Sequence, residues 1–119
     1  MTASADPSFA PPPILLRVPA EPSSLATVRT FASSAGHAMR LDEGSIEDLK
    51  LILSELCAGS VGGSAFSTTI TEDGSRLQVR CEGPTDASGS VADRRRGILE
   101  AMIPDAIYAG DTVTFTIER

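Results

Sequence analysis

The side chains of this 119-residue sequence that could act together centre on Glu55. It lies in Asp48-Leu-Lys-Leu-Ile-Leu-Ser-Glu-Leu-Cys-Ala-Gly-Ser-Val61, an amphipathic helical pattern in which position 59 follows one turn later on the same face. Position 59 is glycine, so Glu55 has no polar neighbour at that spacing, and on the residues alone it reads as a carboxylate on a solvated helix face. Arg94-Arg-Arg96 is the basic cluster of an otherwise acidic chain. If the next helix starts near Ile98, three cations crowd its positive end and call for a phosphate or carboxylate contact. If it starts near Ser90, Asp93 falls in the first turn and the arginines run along a solvated face. His37 has no companion His or paired Cys, which points to a loop or helix-end position rather than a metal site. No Cys/His spacing suited to a metal, no Walker-type loop and no nucleophile elbow is present.

The elements that would position these residues follow from periodicity. Residues 1–13 are rich in Ala, Ser and Pro and predict a disordered tail, leaving 14–119 as one domain. Ile14 to Val18 reads as a strand. A helix then opens at Ala20-Glu-Pro-Ser-Ser, with Leu25, Val28, Phe31 and Ala35 as its stripe and Gly36 as its expected end. Asp42 or Ser45 caps a second helix. Ile46, Leu49, Leu53, Leu56, Cys57 and Ser60 form its core side, and Asp48, Ile52, Glu55 and Gly59 the opposite side. Phe66 to Thr71 and Arg76 to Glu82 form a hairpin around Glu72-Asp-Gly-Ser75. A Gly-containing loop spans Gly83 to Ala92. Ile98, Leu99, Met102 and Ile103 mark a third helix, and Val113, Phe115 and Ile117 alternate inward along a final strand. The order β-α-α-β-β-α-β predicts an α/β two-layer sandwich, a mixed or antiparallel sheet covered on one face by about three helices.

Composition narrows the classes of partner. A net charge of −6 and a pI near 4.6 argue against nucleic acid and anionic membrane and suit a partner with a basic surface. Cys57 and Cys81 form no staple-like pattern and read as small buried hydrophobes in a reducing setting, and no signal peptide is evident. A cytoplasmic location is expected.

From about Ile14 to Arg119 the order of elements resembles the GHKL ATPase fold, and more narrowly the short bacterial anti-sigma-factor serine kinases of the RsbW type. Four segments carry the resemblance: Ser24-Leu-Ala-Thr-Val-Arg-Thr-Phe31, Asp48-Leu-Lys-Leu-Ile-Leu-Ser-Glu-Leu-Cys-Ala58, Val79-Arg-Cys-Glu-Gly-Pro84 and Gly110-Asp-Thr-Val-Thr-Phe115. The resemblance implies that Glu55 stands at the general-base position and that Gly59, Cys81, Gly83, Gly97 and Thr112 stand at nucleotide-site positions. Two of these depart from the family. Where the family has a magnesium-binding Asn stands Gly59, and Mg²⁺ demands oxygen ligands in near-octahedral array. Where it has an adenine-binding Asp stands Cys81. A carboxylate accepting the adenine amine contributes about 1.5–3 kcal/mol, so its loss weakens binding about 10- to 150-fold.

The expectation is therefore an anti-sigma-factor-like regulator of the partner-switching kind, without a metal and with ATP/Mg binding lost or weak. The resemblance implies a sigma factor and a small STAS-domain anti-anti-sigma protein as partners, and homodimerisation. Arg29, Arg94, Arg95 and Arg96 are the contact candidates. The alternative is an active serine kinase acting on the STAS-domain antagonist through Glu55, and a third reading places another small molecule in the old pocket.

Overall fold

A computed structural model describes residues 12–60, 63–83 and 90–119, with the side chains of 90–94 outside the description. The expected tail and the segment 84–89 of the expected loop lie outside the described residues, apart from Pro12 and Pro13, which are exposed and lead into the first strand. The elements run β1 (Ile14–Pro19), a 3-10 turn (Pro22–Ser24), α1 (Leu25–Ala38), α2 (Glu43–Gly59), β2 (Ala65–Asp73), β3 (Arg76–Glu82), α3 (Ser90–Met102), β4 (Ile107–Ala109) and β5 (Thr112–Glu118). They build a two-layer α/β sandwich: a five-stranded sheet of order β1-β2-β3-β5-β4, antiparallel at every pairing, with three helices on one face.

Alternation decides which face is covered. Phe66, Thr68 and Ile70 of β2, Leu77, Val79 and Cys81 of β3, and Val113 and Phe115 of β5 point at the helices and are buried. Their neighbours Thr69, Arg80 and Thr114 line a shallow concavity of about 770 Å³ on the opposite face. That polar face against an apolar one is the pattern of an antiparallel sheet buried on one side.

Two junctions depart from the sequence reading. Gly36 does not end α1, which continues to Ala38 and terminates at Arg40, a left-handed residue with φ of 64°. Gly36 is a packing glycine instead: a Cβ there would stand 2.7 Å from Ile46 Cγ1, so its absence lets α1 and α2 approach closely. Asp42 caps α2, accepting the Ser45 N–H at 2.7 Å, and that bond holds its carboxyl below the ordinary range.

The second departure is β4. Three residues pair Ile107 with Thr114 and Ala109 with Thr112 around the two-residue turn Gly110-Asp111, with Gly110 at φ of 63°. The β2–β3 hairpin also extends further than expected, because Glu72 and Asp73 pair with Leu77 and Arg76 and leave Gly74-Ser75 as the turn.

Candidate functional site on helix α2

Helix α2 is the central helix of its layer. Ile46 and Ser54 meet α1, through Gly36 and through a 3.1 Å bond donated by Arg29 Nε to Ser54 Oγ. Ser54 in turn donates to the Lys50 carbonyl at 2.6 Å. The opposite side, expected to face solvent, is covered along its C-terminal half: Ile52 is 2% exposed and Gly59 is buried. The sequence pattern marked this side as polar because Asp48 and Glu55 lie on it. Ile52 belongs to the core cluster, and at Gly59 the cover comes from α3.

The contact from α3 is Arg95. Its Nε stands 3.4 Å from Glu55 Oε2, with side-chain exposures of 20% and 27%. The arginine stem crosses position 59, where a Cβ would stand 3.3 Å from Arg95 Cδ and 3.5 Å from Nη1. A Cβ at 59 would therefore press on the arginine, and a larger side chain would compete with it for the space. Arg95 Nε is buried and makes no hydrogen bond, so the pair is a close charge contact without directional alignment. Partial exposure and imperfect geometry limit its net contribution to about 1 kcal/mol or less.

Cys81 stands in a different setting. It sits in the middle of the sheet between Thr68 and Val113, has no exposed surface, and donates its S–H to Thr68 Oγ1 at 3.4 Å. Burial pushes its thiol up to about 12, with the Thr68 bond pulling weakly the other way. Burial raises Cys57 as well, and both cysteines are free. Thiols held protonated in this way are unreactive.

The other expected site positions are scattered. Gly83 closes β3 at φ of 112°, donates its N–H to the Asp111 carbonyl at 2.8 Å, and lies where a Cβ would press into the Ala65 carbonyl oxygen. It is required by that backbone approach. Gly97 is not a loop glycine: it lies inside α3, and a Cβ there would meet nothing within 4 Å. Likewise Ser90, Val91 and Ala92 are helical rather than loop. Thr112 pairs with Glu82 and lines the helix-free face, the opposite side of the sheet from Cys81. Arg96 is exposed on α3, and the Arg94 side chain lies outside the described residues.

The structure thus brings Glu55, Gly59 and Arg95 together and separates them from Thr112. Thr68 and Ser54 are the polar groups that sequence reasoning passed over. Thr68 was legible as an inward position between Phe66 and Ile70, and Ser54 from its helical spacing to Lys50.

A magnesium–nucleotide does not fit these residues. Position 59 has no side-chain oxygen, a guanidinium stands against the Glu55 carboxylate, and Cys81, which the resemblance would set against adenine, is an enclosed thiol. Among the described residues no group of three or more His, Cys, Asp and Glu side chains could hold a metal ion. His37 lies in the last turn of α1, where Nδ1–H donates to the Ser33 carbonyl at 2.8 Å and Nε2–H to Glu43 at 3.0 Å. No helix among the described residues is long and apolar enough to cross a membrane. Compared with models of known protein families and with curated proteins, the chain matches none.

Proposed function

We propose that this chain is an anti-sigma-factor-like regulator of the partner-switching kind, acting by protein–protein contact rather than phosphoryl transfer. The observation that carries this reading is Arg95. Its guanidinium meets Glu55 at 3.4 Å, and its stem fills the space left by Gly59. A carboxylate paired with the chain's own cation is poorly placed to accept a proton from an attacking hydroxyl. The two-layer fold is compatible with the resemblance, and the resemblance supplies the partner classes: a sigma factor, a STAS-domain antagonist that competes for the same protein, and a second copy of this chain. In this role the protein works in the cytoplasm, and its net charge of −6 favours a partner with a basic surface.

Arg95 is engaged within the chain, and Arg29 is exposed on α1 while bonded to Ser54. Arg96 is exposed on α3 and stands as a contact candidate beside Arg29.

The test is binding of purified sigma factors from the source organism, with and without MgATP and a STAS-domain protein. The expected result is nucleotide-independent sigma capture, relieved by the STAS-domain protein and weakened by Arg96→Ala. Transfer of phosphate from ATP to a serine of the STAS-domain protein would replace this reading with the kinase, for which the retained Glu55 is the favourable observation.

A further inference from the structure

Helix α3 has two unlike halves. Its C-terminal half is anchored in the core by Leu99, with Met102 packed against it and Ile103 buried just beyond the helix end. Toward the N-terminus, Ile98 is half-buried, Gly97 and Arg96 are exposed, and Arg95 reaches back to α2. Between the two halves stands Gly97. Among the described residues no neighbour requires a glycine there, because a Cβ would meet nothing within 4 Å. Glycine is nonetheless the weakest helix former after proline, so the helix is locally easiest to open at this point.

Gly59 has the opposite character. The space above its Cα is filled by the Arg95 stem at contact distance. The same arginine has a buried Nε with charge contact to Glu55 and no hydrogen bond. Such a contact is close enough to hold and too poorly aligned to be permanent.

We propose that Arg95 is a latch. It fastens the N-terminal half of α3 across the C-terminal half of α2, with Gly59 as its seat, Glu55 as its catch and Gly97 as the point where the helix yields. Closed, the latch covers the Glu55 carboxylate. Open, it presents a carboxylate on α2 and a guanidinium on α3, so a basic group competing for Glu55 or an acidic group competing for Arg95 would hold it open. The device concerns only contacts within the chain, and it stands or falls separately from the regulator reading because its test uses neither a partner nor a nucleotide.

The test is amide hydrogen exchange on the full chain, resolved along α3. Arg95→Ala and the near-isosteric Glu55→Gln are each expected to speed exchange of the amides from Arg94 to Ile98 by about three- to fivefold, with the sheet and the Leu99–Met102 amides unchanged. Gly59→Asn, which fills the seat while leaving both charges in place, is expected to speed the same amides, and Gly97→Ala to slow them. Exchange within twofold of the parent in Arg95→Ala and Glu55→Gln would overturn the latch. So would an equal rise across α3, α2 and the sheet, which would mark Arg95 as part of the global fold. Unchanged exchange in Gly59→Asn would overturn the role of Gly59 as its seat.

Discussion

Gly59 on α2 and Cys81 on β3 are the two positions where this chain departs from the nucleotide-binding pattern it resembles, and the fold treats them in opposite ways. At Gly59 there is no side chain, and the partly buried stem of an arginine from α3 occupies the space. At Cys81 the position has been absorbed into the core, with no exposed surface and a thiol bonded to Thr68. The first arrangement is held by a partly solvent-screened charge contact. The second is held by close packing, where any new polar group must be desolvated. The two positions thus differ in whether they meet a side chain reaching over from another helix or the packed interior.

The largest expected effect is at the sealed position. Cys81→Asp would bury a carboxylate with only the Thr68 hydroxyl beside it, at an expected cost of about 3–5 kcal/mol in urea unfolding. A variant as stable as the parent would show that β3 opens to solvent at this point and would erase the contrast. Arg95→Ala is the matching change at the open position. Its expected cost in the same experiment is about 1 kcal/mol or less, because the pair is partly solvated. A loss above about 2 kcal/mol would move this site into the same class as Cys81.

Thiol chemistry sharpens the comparison from another side. With Cys81 pushed up to about 12 and Cys57 raised as well, both by burial, native protein is expected to resist alkylation at pH 8 while urea-unfolded protein reacts at both. Fast labelling of either cysteine in the native state would contradict the burial.

The smallest effect lies at the α1–α2 junction, where the only histidine is exposed. The Glu43 bond chiefly, and the Ser33 bond next, raise the pKa of His37 above its ordinary 6.5. The folded value lies above the unfolded one, so the stabilising contribution is present in full below pH 6.5 and lost as pH rises through the folded value. A slight fall in melting temperature across that window is expected in the parent and absent in His37→Ala. An equal pH response in both would assign it to other groups.

The fold was largely legible in the sequence, because alternation and helical spacing are local. Val113 and Phe115, the Gly74-Ser75 turn and the Asp42 cap each announce their element within a few residues. Strand β4 escaped because three exposed residues carry no burial signal and gain their identity only by pairing with β5. Ile52 and Gly59 were placed on the polar side because a helix pattern shows its own residues but not the neighbours that will bury them. The candidate site was legible only in part for the same reason. Glu55 and Gly59 stand one turn apart in sequence, whereas Arg95 joins them from 40 residues beyond Glu55. Whether its cluster forms an anion site or a solvated face turned on where α3 starts. The helix starts at Ser90, and its path over α2 directs Arg95 inward.

The central claim is that the chain has exchanged nucleotide chemistry for partner contact, and MgATP titration calorimetry tests it most directly. The expected result is no binding heat at millimolar nucleotide, with no thermal stabilisation in parallel. Binding in the micromolar range would contradict the account, since it would require Arg95 to leave Glu55 and a nucleotide to be held without an acceptor at position 81.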